Sequence, residues 1–194
     1  MRRKLLLSLA PIVSVLAVAA LPAASQAAPH WYEKGALVTK TTPVKTAGAL
    51  TFSLPAVGLS ATCTLKDVDK ISNPASGGSG TDEMTKFVLS KCGPSPCPIL
   101  KGKKPAALTV KALNLPWKTE LIEVPPIANE IKGMELEFGC KGGGPFAVFT
   151  GNLLPWVGAG LLEFNSPLTG TLGGLGVNGI DTLTSPLGIT AKNP

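Results

Sequence analysis

The chain has 194 residues, a formal net charge of +6, 22 glycines and 18 prolines. That length suits one domain with a sizeable core, or at most two small ones, and the density of glycine and proline excludes long helices. Both arginines lie in the first three residues; without arginine's planar fork for phosphates and base edges, the rest of the chain is excluded as a specific nucleic-acid binder.

At the N-terminus, Met1-Arg2-Arg3-Lys4 is followed by an apolar run from Leu5 to Leu21, broken only by Ser8, Pro11 and Ser14. Ser25-Gln26-Ala27 then puts small residues at the two positions a signal peptidase reads, which predicts a cleaved secretory signal over residues 1–27. The expected mature chain, residues 28–194, is a single secreted or envelope-associated domain. Losing Arg2, Arg3 and Lys4 leaves 15 lysines against 12 acidic residues, a net of +3. No cysteine follows the expected cut, so no lipoprotein anchor is predicted. No later stretch reaches the ~18 consecutive apolar residues of a spanning helix.

Short alternating segments lie between the breakers. Ala49 to Leu54 is the first. Ala61 to Lys66 sets Cys63 and Leu65 against Thr62, Thr64 and Lys66. Phe87 and Leu89 share a face in Lys86 to Lys91, as do Leu108, Val110 and Ala112 in Ala107 to Asn114. Met134, Leu136 and Phe138 oppose Glu135 and Glu137 before Cys140. Such period-two alternation is that of half-buried antiparallel strands, and six or more of them predict an all-β sandwich or barrel. The one modest helix candidate starts at Thr119 and stops at Pro125-Pro126; Ile127 to Lys132 suits a helical turn or a strand. Ser72 to Glu83 reads as a flexible loop.

After Lys141 the composition changes: from Gly142 to Ala191 only Glu163 and Asp181 are charged. Phe146 to Leu153, Gly160 to Asn165, Thr169 to Leu172, Ile180 to Leu183 and Leu187 to Lys192 read as strands, shorter than the ~9–11 residues of a membrane barrel. Gly142-Gly-Gly144 lacks the strand–helix setting of a phosphate loop and reads as a bend, and Lys101-Gly-Lys-Lys104 as a solvated basic turn.

An even count of cysteines in an exported chain, Cys63, Cys92, Cys97 and Cys140, predicts two disulfides. Cys92-Gly-Pro-Ser-Pro-Cys97 suggests a bridged turn, which pairs Cys63 with Cys140 across a loop of about eighty residues, worth about 4 kcal/mol on the chain-entropy model. The four-residue gap has no second close pair and His30 is remote, so zinc is not expected.

Candidate chemistry is sparse. His30 is the only histidine and sits at the expected mature terminus, a poor place for a catalytic base. Glu120 with Glu123, and Glu135 with Glu137, are the carboxylate pairs for glycoside hydrolysis; the latter share a solvated strand face, and Glu120 beside Lys118 suits a surface ion pair. Asp67, Asp69, Asn73, Asp82 and Glu83 around the Gly/Ser loop carry the oxygen donors of a calcium loop, without the spacing of an EF-hand. Asn114-Leu-Pro-Trp117 echoes Asn152-Leu-Leu-Pro-Trp156, which predicts either aromatic plugs on the core or a ligand platform with Trp117 and Trp156 at its mouth.

Pro29-His-Trp-Tyr32, Ile71-Ser-Asn-Pro74 followed by Gly80-Thr-Asp82, and Leu115-Pro-Trp-Lys-Thr-Glu-Leu121 together resemble a group of exported proteins predicted from actinobacterial genomes. The resemblance implies a secreted β-rich domain with disulfides and brings no activity, cofactor or catalytic residue. The expected role is therefore non-enzymatic: a binding protein for an apolar ligand or surface, with no cofactor, or else a structural envelope protein that associates through exposed strand edges. An enzyme would need converging polar groups around Glu120 and Glu123 or the Asp67 to Glu83 segment.

Overall fold

The computed structural model of the protein describes residues 28–94, 97 and 106–194. The expected signal segment and the Lys101 to Lys104 turn lie outside the described residues. Thirteen strands follow in chain order: β1 (His30–Glu33), β2 (Ala36–Leu37), β3 (Thr42–Leu54), β4 (Leu59–Ser72), β5 (Thr81–Pro94), β6 (Leu108–Leu113), β7 (Trp117–Ile122), β8 (Ala128–Cys140), β9 (Gly144–Leu153), β10 (Trp156–Gly158), β11 (Leu161–Gly170), β12 (Gly173–Ser185) and β13 (Ile189–Lys192). Among the described residues the only helical element is a 3₁₀ turn, Pro55–Val57.

The expected all-β fold is present, and its form is a barrel. Strands β3, β4, β5, β7, β8, β9, β11 and β12 pair antiparallel, each with the next in that order, and β12 returns to β3, so eight staves close on themselves. This is an up-and-down barrel, in which each stave has a partner on both sides, though β5 meets β7 only over Thr81–Met84 and β9 meets β11 at only two positions. Strand β6 pairs with the Glu135 to Cys140 half of β8, on the edge whose other half pairs with β7, and adds Leu108 and Val110 to the core. Strand β10 bridges β11 and the start of β8. A separate sheet in the order β13-β1-β2 lies across one end.

Alternation explains the staves. Along β4 every second residue from Leu59 to Ile71 is buried, and the residues between are exposed or half-buried. The buried residues of β3 and β8 continue the same inner face. Phe138 is the hub of the larger core, edge-on to Phe52 at 5.4 Å and to Phe149 at 5.3 Å, geometries that add to simple burial. Outward positions carry Thr62, Thr64, Lys66 and Lys70 on β4 and Glu135 and Glu137 on β8, where a membrane barrel presents an apolar band.

Several expectations are corrected. The staves reach 13–14 residues, longer than the glycines and prolines suggested, because those breakers sit within strands as well as between them. Residues from Thr119 onward form β7 rather than a helix, whereas for Ile127 to Lys132 the strand alternative holds, since Ala128 to Lys132 open β8. Strand β5 begins at Thr81, so Asp82 and Glu83 belong to a strand and not to the loop before it. Thr171 and Leu172 turn between β11 and β12 instead of extending a strand.

The disulfides also pair differently: Cys63 with Cys92, and Cys97 with Cys140. Strands β4 and β5 are neighbours, and the shift in their register between Thr62 and Thr64 places Cys63 opposite Cys92 with Cα atoms 4.0 Å apart. Cys97 then spans to the end of β8, Cα to Cα 5.7 Å. Adjacency in sequence between Cys92 and Cys97 lost to adjacency across the sheet.

Candidate functional site

The barrel interior holds two apolar clusters. The larger contains Leu50, Leu65, Met84, Trp117, Ile131 and Val177 among others. The smaller, at the end covered by β1 and β13, contains Trp31, Val38, Val44, Ile71, Leu121 and Ile189. Following each stave inward residue by inward residue, the two are separated by polar side chains. On β4 the order is Leu65, Asp67, Asp69, Ile71; on β3 it is Leu50, Gly48, Thr46, Val44. On β5, Asp82 follows Met84 toward that end. Thr119 lies between Trp117 and Leu121 on β7, and Asn129 lies next to Ile131 on β8. On β12, Asp181 lies between Gly179 and Leu183. All seven of these polar side chains are buried.

Four carboxyl groups in such a layer are unusual, since an unpaired buried charge is strongly disfavoured. Thr46 donates its hydroxyl to Asp181 Oδ2. Asn129 Nδ2 donates to Asp82 Oδ2 at 3.3 Å. Among the described residues, Asp69 Oδ1 and Asn129 Oδ1 have no hydrogen-bond partner, and neither oxygen of Asp67 meets an N–H or hydroxyl donor. Burial, then the charge of Asp181 and a hydrogen bond shared with its carboxyl, then the charge of Asp82, push the Asp67 carboxyl up to about 9. Asp69 is held well above its ordinary value by burial and by the charges of Asp82, Asp67 and Asp181. Burial raises Asp82 to about 6, against hydrogen bonding from Asn129 and from the Glu83 and Lys70 peptides. Asp181 is raised by burial, with Thr46 pulling it back. At neutral pH Asp67 therefore keeps its proton, while Asp82 has largely released its own.

A cavity of about 40 Å³ lies between this layer and the β1–β13 sheet. Asp69, Asp82, Asp181, Asn129 and Thr46 form its polar side; Trp31, Val44, Ile71, Leu162, Leu183 and Ile189 contribute apolar wall. Among the described residues no lysine, arginine or histidine lines it. Trp31 is its roof and is fixed on three sides. Its backbone N–H donates to Asn73 Oδ1 at 2.8 Å, its indole Nε1 to the Thr81 carbonyl at 3.1 Å, and Asn73 Nδ2 returns to the carbonyls of Trp31 and Val38 at 2.8 and 2.9 Å. Gly80 permits this contact: a Cβ there would stand 2.8 Å from Trp31 Cδ1.

The five residues expected to suit a calcium loop are divided. Asp67, Asp69 and Asp82 enter the layer, Asn73 ties down Trp31, and Glu83 faces outward to pair with Lys118. Among the described residues no three acidic, histidine or cysteine side chains converge as metal ligands. Trp117 and Trp156 are not brought together. Trp117 is 2 % exposed, packs on Phe87 at 5.3 Å and donates Nε1 to the Leu113 carbonyl. Trp156 is 44 % exposed, because β10 turns Val157 toward the cavity and its neighbour outward. Glu120 pairs with Lys132 at 2.7 Å rather than with Lys118, and Glu123 accepts from Asn193. The pair Glu135 and Glu137 lies on the outer face of β8. Sequence reasoning did not single out Asn129, Thr46, Thr119 or Asp181.

No family model, curated protein or solved structure matches the chain.

Proposed function

We propose that the chain is an exported, non-enzymatic binding protein that takes a small ligand into the chamber beneath Trp31. One observation carries the reading. A closed barrel whose larger core is filled with side chains has, at one end, a chamber with apolar walls and unpartnered oxygens on its polar side, the composition of a small-molecule site. The two disulfides support export. A chamber roofed by one tryptophan replaces Trp117 and Trp156 as the expected recognition surface.

Native mass spectrometry of the non-reduced protein from its secreting host tests this. A small bound mass that is lost when Trp31→Ala removes the roof supports the reading. A bare mass, together with no change in the Trp31 indole signal on screening small polar and apolar compounds, overturns it. Association through strand edges has less support, because every stave has a partner strand on each side; exposed Trp156 and Ile180, flanking Glu163 across three strands, are what would carry such a role.

A further inference from the structure

We infer that the chamber recognises a primary ammonium group carried on a short apolar body, an inference that rests on the reading of the chamber as a ligand site. An ammonium offers three N–H donors and no acceptor. The polar side of the chamber offers the complement: Asp69, Asp82, Asp181 and Asn129 line it, and Asp69 Oδ1 and Asn129 Oδ1 have no hydrogen-bond partner among the described residues.

Asn129 argues for a ligand independently of the acids. It is neutral, 0 % exposed, and has committed its Nδ2 to Asp82. In a residue that lines the cavity, its oxygen is thereby left as an acceptor without a donor, and such a buried amide oxygen costs roughly 1–3 kcal/mol. Nothing in a purely structural role calls for that arrangement.

Charge points the same way. Among the described residues the acids face no lysine, arginine or histidine across the chamber, so a bound cation would give a carboxylate there the counter-charge that the chamber does not supply. A metal ion fits less well, since no three carboxylates converge as ligands. Beyond the acceptors the walls are apolar, and the Trp31 ring lies within the lining, as suits an alkyl group bearing a positive charge. At roughly 10–15 Å³ per water-sized occupant, 40 Å³ holds about three heavy atoms beside the polar side. That is the scale of ethylamine or propylamine, and it excludes bulky quaternary ammonium.

The test is titration of the full mature protein with propylamine hydrochloride, propanol, tetramethylammonium chloride and calcium chloride in parallel. The readout is the ¹H–¹⁵N correlations of the Trp31 indole and the Asn129 side-chain amide. Propylamine is expected to shift both saturably, and propanol at the same concentration is not. Asp69→Asn and Asp82→Asn, each nearly isosteric, are expected to weaken propylamine at least tenfold; Glu83→Gln, on the outer face of β5, leaves it unchanged. If either Asp variant misfolds, the wild-type comparison of propylamine with propanol still decides. Propanol binding as tightly as propylamine would refute ammonium recognition while leaving the chamber a ligand site, and so would calcium or tetramethylammonium acting where propylamine does not. No shift with any probe would overturn both readings.

Discussion

Replacing Asp82 by asparagine should stabilise the protein at neutral pH and do nothing for it in acid. In the fold Asp82 titrates at about 6 against an ordinary value of 3.8. The folded state thus binds its proton more tightly than the unfolded chain. Below about pH 4 both states are protonated and the group exerts no pull. Between about pH 4 and 6 the unfolded chain releases the proton first, so stability falls as pH rises. Above about pH 6 the loss is complete. At about 1.4 kcal/mol per pH unit, the gap between 3.8 and about 6 is worth about 3 kcal/mol. Asparagine keeps an oxygen to accept from Asn129 and removes the titration. Urea unfolding of both proteins, followed by tryptophan fluorescence from about pH 3.5 to 8, should give coincident curves in acid. They should separate by about 3 kcal/mol at neutral pH, a midpoint change on the order of 1–2 M. A difference that is flat across pH, or a variant weaker than wild type at pH 7, refutes the reasoning.

The two tryptophans of the echoed motif should separate cleanly. Trp117→Ala is expected to remove about 3–5 kcal/mol in chemical denaturation, and Trp156→Ala no more than about 0.5 kcal/mol; similar losses would contradict the placement of Trp156 outside. Gly48 faces Asp181 across the seam of β3 and β12, and a Cβ there would stand 2.0 Å from the Ile180 carbonyl oxygen. Gly48→Ala should therefore destabilise by more than about 3 kcal/mol, since the obstacle is backbone, and an unchanged melting temperature would deny that close approach. From loops spanning 29 and 43 residues, removing Cys63–Cys92 as a serine pair should lose roughly 3.5 kcal/mol and removing Cys97–Cys140 roughly 4 kcal/mol. Peptide mapping without reduction that finds Cys92 joined to Cys97 would overturn the pairing itself.

The all-β class was legible because period-two alternation survives the glycines and prolines: Cys63 with Leu65, and Met134 with Leu136 and Phe138, face inward as their spacing implies. The polar layer was half legible. Extending the alternation of β4 by two steps puts Asp67 and Asp69 on the face of Cys63 and Leu65, but lysines on both sides disguise that strand as solvated. Asp82 was assigned to a loop because the Gly/Ser run masks where β5 starts. Asp181 and Asn129 reach the layer only through closure of the sheet, and a single strand carries no trace of which distant strand completes a ring. The disulfide pairing failed for a related reason: the register shift that sets Cys63 opposite Cys92 is a property of two strands together.

The central claim is that four aspartates share the interior of this barrel as a proton-holding layer under Trp31. Carboxyl ¹³C titration of the aspartate-labelled protein tests it most directly. The account predicts that Asp82 titrates near 6 and that Asp67 still holds its proton at neutral pH, titrating near 9, with Asp69 and Asp181 also above the ordinary carboxylate range. Four aspartates all titrating near 3.8 in the folded protein would place these groups in water and contradict both the layer and the chamber built on it.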